Sequence, residues 1–428
     1  MQRDANPGLW PISNPHAIRT RPLASDDDVD LAIVGGGITG CVAALEAARR
    51  GAKVTLLEAD TVAHGGSGRS VGLVNAGLWL PPEAVTARLG EAAGLRLLSC
   101  LAEGPSQVFE LISREGISCE ATRAGTLHLA HSAAGLRELR ERHRQGLALG
   151  APLQLLNAEA TRRETGSAAF HGALLDPRAG TIQPLAYCMG LAAAAQRAGA
   201  TIHERSRVGH IDRRDGRWHV AANGRRLRAG ALLVATNAYG HGLDGVPAPS
   251  HATVAFSQFA TPPLPEQLRG EILPTGKGCW DTATVMSSFR TDQSGRLILG
   301  GIGDLQGPGR RIHESWARRK LREVYPALAD IGFAYRWQGR IAMTADHIPK
   351  VVRFGPDACS IFGYSGRGIA PGTLFGTAAV QALLDGDPSA FPIAPQTRYA
   401  ERFTQTRSAY YEFGASALHA VSSLKLPA

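Results

Sequence analysis

The stretch that decides the fold reads VDLAIVGGGITG at residues 29–40 and continues through a helical segment to KVTLLE at residues 53–58. Five of its first six residues are apolar, as in a strand buried on both faces, and a GxGxxG pattern of glycines follows them at once. Ala, Leu and Glu at helical spacing then lead to Gly51, where a C-terminal glycine cap is expected. Strand, glycine turn, helix and second strand in this order predict a dinucleotide-binding unit.

Each residue of the turn has an expected task. Gly35 allows the tight turn, Gly37 lets a pyrophosphate approach the backbone, and Gly40 lets the helix pack on the strand. The helix N-terminus offers free N–H groups and its positive dipole end to the phosphates. Glu58 lies 18 residues beyond Gly40, about where a carboxylate accepts hydrogen bonds from an adenosine ribose. The combination makes the prediction specific, because glycines alone could simply shape a turn.

Length and composition indicate an ordinary globular protein. A chain of 428 residues is too long for one compact core, so we expect two domains or one large domain with an excursion. The formal charge of +9 raises the question of nucleic acid or an anionic membrane. The lysines are few, the arginines are dispersed, and no recognition helix or aromatic-studded sheet is evident. We therefore predict no nucleic-acid partner and interpret the arginines mainly as solvated surface.

The cysteines and the apolar runs limit location and metal content. The six cysteines are scattered without a CxxC motif or histidines at zinc spacing, so no metal site is predicted. A reduced, cytoplasmic protein is the expectation. The N-terminus lacks a signal pattern, and no apolar run approaches the ~18 residues needed to span a bilayer.

Two further glycine-rich stretches follow. Residues 64–75, HGGSGRSVGLVN, are too rich in glycine for a helix and predict a loop that approaches an anionic or planar group, with a plain surface loop as the alternative. Residues 360–372, SIFGYSGRGIAPG, predict a strand, a loop and the N-terminus of a helix reaching Leu384, a second place for a dipole to meet negative charge. By contrast, Leu297–Gly303 lacks the third glycine of the fingerprint, so we reject a second dinucleotide site there. Without a site for a nicotinamide cofactor, the electrons must come from the organic substrate.

The remaining pattern predicts two kinds of segment. Helices are expected at 82–115, 133–149 and within 181–199, and near Glu314–Tyr325. Strands are expected at 125–130, 207–213, 218–222, 226–229 and 230–235, with hairpin turns at Asp215-Gly216 and Asn223-Gly224. A second group of strands, 253–260, 283–290, 296–301 and 333–343, suggests a mixed sheet that walls a substrate pocket.

Together these motifs resemble the FAD-binding opening of the D-amino-acid oxidase superfamily. The resemblance implies an α/β fold: a Rossmann-like FAD-binding domain of the glutathione-reductase type with a second α+β substrate domain on a mixed or antiparallel sheet. The expected ranges are a leader at 1–28, FAD-binding parts at 29–115, 166–250 and 346–428, the last with a C-terminal tail, and substrate-domain parts at 116–165 and 251–345. FAD is expected to be non-covalent, because no cysteine falls in the context used for attachment.

The resemblance and the motifs also assign candidate site residues. The candidate cofactor-binding residues are Gly35, Gly37, Ile38, Thr39, Gly40, Glu58, Ala59, Ser67, Gly68, Arg69, Gly72, Val208, Thr236, Asn237, Gly366, Arg367, Gly368 and Ile369. The candidate catalytic residues are Arg367, Arg340 and Tyr364, with Trp280, Trp79 and His347 as further possible pocket walls.

The implied activity is oxidation of the C–N bond of an amine or amino acid. Positioning of a neutral amine matters more here than a strong base. The chain looks most like the γ-glutamylputrescine and L-pipecolate oxidase branch. Ile341 and Ala370 stand where related enzymes place an arginine and a lysine, and Ile298 stands where a lysine faces the flavin. Oxygen and another electron acceptor therefore both stay open. The alternatives are an NAD(P)H-dependent flavin monooxygenase and a flavin-containing RNA-modifying or binding protein.

Overall fold

The computed structural model describes residues 8–240, 242–247 and 249–421. Its helices are α1 (Ile38–Arg49), α2 (Pro82–Leu89), α3 (Glu91–Ala102), α4 (Gly104–Glu115), α5 (Ala133–Ala148), α6 (Ala158–Thr165), α7 (Pro184–Arg197), α8 (Glu266–Arg269), α9 (Arg310–Val324), α10 (Ile369–Leu384) and α11 (Thr404–Val421). Its strands are β1 (Asp27–Val34), β2 (Val54–Leu57), β3 (Leu73–Val74), β4 (Thr126–Leu129), β5 (Gln154–Asn157), β6 (Gly172–Asp176), β7 (Gly180–Thr181), β8 (Thr201–His203), β9 (Val208–Arg214), β10 (Arg217–Ala222), β11 (Arg225–Val234), β12 (Ala252–Ala260), β13 (Gly278–Asp281), β14 (Ser288–Thr291), β15 (Leu297–Ile302), β16 (Tyr335–Met343), β17 (Lys350–Gly355) and β18 (Ala358–Phe362).

The first sheet is organised around β1. Strands β2 and β11 lie parallel to β1 on either side, and β8 and β18 extend the sheet in the same sense. The order is β17-β18-β11-β1-β2-β8, with β17 antiparallel to β18 at the edge. A central parallel strand is covered on both faces, which explains why its segment Leu31–Val34 is uniformly apolar. The predicted Rossmann-like unit is confirmed.

Two different layers cover this sheet. Helices α1, α7 and α10 form a common apolar cluster with one face. The β9–β10 hairpin, which pairs with the first half of β11, contributes Trp218 and Val220 to the cluster on the other face. Its turns fall at the predicted Asp-Gly and Asn-Gly pairs, whose residues have φ between 48° and 75°. A helical layer on one side and a β layer on the other give the predicted glutathione-reductase type.

The second sheet has the order β16-β12-β15-β14-β13-β4-β6-β5. Its neighbours are antiparallel except for the parallel pair β13–β4. The predicted mixed sheet of a substrate domain is therefore confirmed. Strand β15 covers the glycine pattern Leu297–Gly303 except for its last residue, and it lies antiparallel between β12 and β14. A dinucleotide fingerprint requires a parallel β–α–β unit, so this position agrees with its rejection.

The two faces of the second sheet differ in character. Leu127, Phe259, Phe289 and Leu299 form an apolar cluster with Trp316 of α9 on one face. Because side chains alternate along a strand, the residues between them belong to the opposite face. Those residues include His128, Gln258, Trp280, Arg290 and Ile298. We call this set the polar face of the second sheet.

The predicted leader is more than a connection. Leu9 and Trp10 are buried, and Trp10 donates its indole N–H to the Ser70 carbonyl at 3.0 Å. The Gln183 amide in turn donates to the Trp10 carbonyl at 2.9 Å. The same indole ring lies against Trp337 of the second sheet, with centroids 5.8 Å apart. The leader therefore contacts both the loop that contains Ser70 and the second sheet. Residues 1–7 of its predicted range lie outside the described residues.

Several predicted boundaries need correction. The range predicted as one helix at 82–115 forms α2, α3 and α4, because Gly90 has φ +82° and Pro105 starts α4. The strand predicted at 283–290 is only β14, since the Asp281 carboxylate accepts the Ser287 N–H and folds the preceding residues into a turn. The domain boundary predicted at 165/166 lies too early, because β6 pairs with β4 and β5.

No helix in the described part of the chain is long and apolar enough to cross a membrane.

Candidate active site

The first glycine turn has the geometry of a phosphate-binding loop. Gly35 has φ +111°, and a Cβ there would lie 2.7 Å from the Ala235 carbonyl oxygen. A Cβ on Gly40 would lie 2.0 Å from the Gly35 carbonyl oxygen, so only glycine lets α1 begin this close to β1. At Gly37 a Cβ would meet only the tip of the Ser67 side chain, at 2.9 Å. The backbone at Gly37 therefore has no room for a side chain beside the loop at 64–75, and the nearest group is a single hydroxyl.

Glu58 lies at the end of β2 and holds this turn in place. Its carboxylate accepts the N–H of Gly36 at 2.7 Å and the N–H of Asp60 at 2.9 Å. Burial raises the pKa of Glu58, whereas both N–H groups favour the ionised form. Ala59, the next predicted cofactor residue, is exposed beside it. The structure therefore places the predicted ribose acceptor directly against the glycine turn.

The loop at 64–75 connects the turn to the second sheet. The Ser67 hydroxyl accepts the N–H of Ile38, the first residue of α1, at 3.0 Å. Arg69 donates to the carbonyls of His64 and Gln338, at 2.7 Å and 3.0 Å, and its own carbonyl accepts the Trp337 indole N–H at 2.8 Å. These bonds give Arg69 a role in fixing the loop to β16.

Close backbone contacts restrict two glycines of the same loop. A Cβ on Gly68 would lie 2.3 Å from the Ala63 carbonyl oxygen. Gly72 has φ +88°, and a Cβ there would lie 2.0 Å from the Ile182 carbonyl oxygen. Both positions require glycine for the fold of the loop, whether or not they touch a ligand.

The other predicted contacts on the first sheet are close to the same edge. Asn237, at φ +45°, accepts the N–H of Gly363 on its side-chain oxygen at 2.9 Å. This hydrogen bond connects the segment that follows β11, which includes Thr236, with the loop before α10. Val208 at the start of β9 is buried in the apolar cluster under the sheet.

Helices α1 and α10 bring their N-termini together. The Tyr364 hydroxyl lies 2.7 Å from the Thr39 hydroxyl, and both side chains are buried. Burial raises the pKa of Tyr364, so the phenol stays protonated at neutral pH. Gly366, with φ +94°, and Gly368 lead into Ile369 at the start of α10. Tyr364 therefore fixes the spacing of two positive helix ends, which is a positioning role and differs from the predicted catalytic one.

The two predicted arginines occupy different environments. Arg340 is exposed and alternates with Trp337 and Gly339 on β16, so its position belongs to the opposite face from theirs. Arg367 is partly buried and donates through one Nη to the carbonyls of Ala76 and Leu78, at 3.1 Å and 2.8 Å. The structure brings Arg367, but not Arg340, to the polar face of the second sheet.

The guanidinium of Arg367 lies over an aromatic wall. Its Cζ is 5.1 Å from the centre of the Trp280 ring, and Trp280 stacks on His128 with centroids 4.8 Å apart. Burial and the neighbouring charge of Arg142 lower the pKa of Arg367 to about 9, so it remains cationic at neutral pH. No carboxylate within the described residues lies within 4.0 Å of it. A guanidinium with one edge anchored and no acid partner can receive an anion.

Three residues of the polar face were not among the sequence-based candidates. These are His128, Gln258 and Arg290. Burial, with the charges of Arg142 and Arg367, lowers the pKa of His128, so its imidazole is neutral. The Gln258 carboxamide lies over Gly300, where a Cβ would come within 2.3 Å of it. The alternation of side chains along residues 126–129, 252–260 and 288–291 could have indicated that these three residues share faces with other polar groups. Alternation does not show, however, which strands become neighbours.

The residues present fit the FAD that the sequence motifs imply. The side-chain-free backbone at Gly37, the N-terminus of α1, and Glu58 suit phosphates and a ribose. The Ser70 hydroxyl and the Trp280 indole N–H are buried without a hydrogen-bond partner in the described ranges. Buried polar atoms of this kind normally have partners, and a bound ring system and substrate can supply them. Among the described residues no group of three or more His, Cys, Asp or Glu could hold a metal ion.

Comparison with known proteins gives a family match. The sequence model described as DAO: FAD dependent oxidoreductase matches residues 30–382. The chain is 31% identical over 345 residues to the probable oxidoreductase OrdL of Rhizobium meliloti, covering 79% of each. It is 30% identical over 364 residues to the gamma-glutamylputrescine oxidoreductase of Escherichia coli, covering 85% of each.

A solved structure shows the same fold. The glycine oxidase of Geobacillus kaustophilus superposes with a TM-score of 0.70 at 20% identity, covering 85% of this chain and 96% of that one.

Proposed function

Because the chain belongs to the DAO family of FAD-dependent oxidoreductases, we propose that it oxidises the C–N bond of an amine or amino acid to an imine. FAD, when bound, would supply the two-electron acceptor for a hydride from the substrate carbon. The substrate is either an amino acid of the L-pipecolate type or an amine of the γ-glutamylputrescine type. The similarity to the gamma-glutamylputrescine oxidoreductase supports the second, and the guanidinium of Arg367 supports the first.

The observation that carries the proposal is a cluster of three side chains on the polar face. The partly buried guanidinium of Arg367 lies within cation–π distance of Trp280, and the neutral imidazole of His128 stacks on the same ring. Arg367 also donates to the backbone carbonyls of Ala76 and Leu78, just after the loop at 64–75. This proximity supports a substrate site next to the loop that we propose binds the cofactor.

Each of these residues has a definable task. Arg367 binds a carboxylate through its free edge, because leaving such a charge unpaired in a dry pocket costs several kcal/mol. Trp280 excludes water and presents a flat wall to the substrate carbon chain. The neutral imidazole of His128 can accept a hydrogen bond from the substrate amine and so orient it.

The electron acceptor and the compartment complete the proposal. Ile298 is buried against Trp10 and Trp337, in an apolar cluster. Because Ile298 stands where related enzymes have a lysine facing the flavin, we propose either oxygen or another electron carrier as the electron acceptor.

The six cysteines are all free, and five of them are buried, which supports a reducing, cytoplasmic setting.

The test is an anaerobic substrate screen with purified protein. We expect one or more amines or amino acids to bleach the flavin absorbance, whereas NAD(P)H leaves it oxidised over minutes. Rapid bleaching by NADPH would instead support the flavin monooxygenase alternative. A flavoprotein that no free amine reduces would favour the RNA-modifying or binding alternative.

A further inference from the structure

Arg290 is a second cation on the polar face, and its guanidinium is almost entirely unpartnered. The residue is 1% exposed. Its Nε and one Nη are buried and form no hydrogen bond with any atom of the described ranges. These two nitrogens form the edge of a guanidinium that grips a carboxylate side-on. Burial lowers the pKa of Arg290 to about 10, so it still carries its charge at neutral pH.

The neighbours of Arg290 do not neutralise it by direct contact. The nearest acid is Glu120, whose oxygen is 4.0 Å from the guanidinium, beyond hydrogen-bond distance. That same oxygen accepts the N–H of Gln293 at 3.2 Å. The indole of Trp10 covers one side, with its ring centre 5.2 Å from Cζ. A buried charge of this kind is costly unless something binds it.

Arg290 and Arg367 belong to the same surface. Trp280 of β13 is directly opposite Ser288 of β14, and Arg290 lies two residues further along the same face of β14. Arg367 lies over Trp280 itself. Diagonal neighbours on adjacent strands are roughly 7–8 Å apart. Two guanidinium groups without a hydrogen-bonded acid therefore flank one tryptophan.

We propose that Arg290 binds a second carboxylate of the substrate, so that the preferred substrate class is an amine carrying two carboxylates. The inference rests on the proposed function, with Arg367 holding one carboxylate and Arg290 the other. A substrate with a free cationic chain end is disfavoured, because it would place like charge against Arg290.

The test compares unreactive ligands of equal carbon number on the FAD-loaded protein. Succinate and butyrate are titrated while the flavin absorbance and the heat of binding are followed. We expect succinate to bind at least about tenfold more tightly than butyrate, as one additional well-formed ion pair provides. In Arg290→Gln this preference should fall to about twofold or less, with butyrate binding unchanged. Arg290→Lys should retain part of it, because lysine keeps the charge without the planar fork.

A matched control is Arg336→Gln, which removes an exposed arginine paired with Glu314. It should leave both affinities as in the wild type. Equal binding of the two ligands to the wild type would overturn the proposal even if Arg290→Gln does not fold. Loss of FAD from a folded Arg290→Gln, or an equal weakening of both ligands, would assign Arg290 to the cofactor or the fold and also overturn it. If succinate is preferred but no amine reduces the flavin, the proposed function fails while this site stands.

Discussion

The carboxylate of Glu58 connects the glycine turn to the predicted ribose site. Replacing it with alanine removes the acceptor for two backbone N–H groups and, in the proposed cofactor site, the acceptor for a ribose hydroxyl. We expect Glu58→Ala to weaken FAD binding by about 1–3 kcal/mol, as for a charged hydrogen bond. Titration of the apoprotein with FAD, followed by flavin fluorescence, measures this. Glu91→Ala, at an exposed position in α3, is the control. An unchanged dissociation constant for Glu58→Ala would remove Glu58 from the cofactor site.

Arg367 is the residue on which the proposed substrate recognition depends most directly. We expect Arg367→Ala to lower kcat/KM for a carboxylate substrate by about 2–4 kcal/mol of transition-state binding, with FAD content nearly unchanged. Arg367→Lys should recover only part, since it lacks the planar fork. Steady-state kinetics and the flavin-to-protein absorbance ratio give both quantities.

Arg340 provides the comparison for that prediction. Its exposed side chain lies away from the polar face, so Arg340→Ala should change kcat/KM little. Loss of FAD or of the fold in Arg367→Ala would instead show that its bonds to Ala76 and Leu78 are its main task.

At the scale of single elements, α1 depends on its close approach to β1. A methyl group at position 40 would lie 2.0 Å from the Gly35 carbonyl oxygen, so Gly40→Ala must push the helix away. We expect a loss of about 1–3 kcal/mol in unfolding free energy, typical of overpacking, together with weaker FAD binding. Urea denaturation measures the first. Gly209→Ala is the matched control, because a Cβ there has no neighbour within 4 Å. Equal stability of the two variants would contradict this account.

Helix α11 docks on α9 through a histidine pair. The Nδ1 atoms of His313 and His419 are 2.8 Å apart, and His419 stacks on Trp316 with centroids 4.0 Å apart. Burial, with the charges of His313 and Arg319, lowers the pKa of His419 to about 3. Its unfolded pKa is about 6.5, so acid favours the unfolded chain, which binds the proton more readily.

The stability contributed by neutral His419 should therefore be fully present above pH 6.5 and decline as the pH falls toward 3. We expect its share of the loss between pH 7 and pH 5 to be about 2 kcal/mol, at roughly 1.4 kcal/mol per pH unit below 6.5. Denaturation curves at both pH values measure it. His419→Gln should reduce the difference, and His171→Gln, at an exposed position, should not. The same pH dependence in wild type and His419→Gln would contradict the assignment.

At the scale of the whole molecule, one Rossmann-like unit is combined with the second, mostly antiparallel sheet. Since the single fingerprint ends in Glu58, we expect acid precipitation to release FAD rather than FMN. Chromatography of the supernatant identifies the flavin. Release of FMN, or no flavin binding after reconstitution, would contradict the cofactor assignment.

The Rossmann-like unit could be predicted because its signals are local. Gly35, Gly40 and Glu58 lie within one strand–helix–strand segment, so steric limits and the position of the acid can be read along the chain. The hairpin turns were predictable for the same reason, since Asp-Gly and Asn-Gly pairs favour positive φ. Fold class and family follow from this local code.

The long helical pattern at 82–115 was less decisive. Hydrophobic periodicity persists through the breaks at Gly90 and Glu103, so periodicity alone did not divide the range into three helices. The boundary after residue 165 was misplaced because β6 is recognised as part of the second sheet only once its pairing with β4 and β5 is known.

The sequence by itself determined the fold class, the dinucleotide unit and the family resemblance, because these depend on residues close together in the chain. Only the tertiary structure decided the composition of the polar face. His128, Trp280 and Arg290 come from β4, β13 and β14, which strand pairing places side by side across more than a hundred residues of chain. Alternation shows that each strand has two faces, but not which face meets Arg367. Long-range backbone pairing and burial make that choice, and they leave Arg340 at the surface.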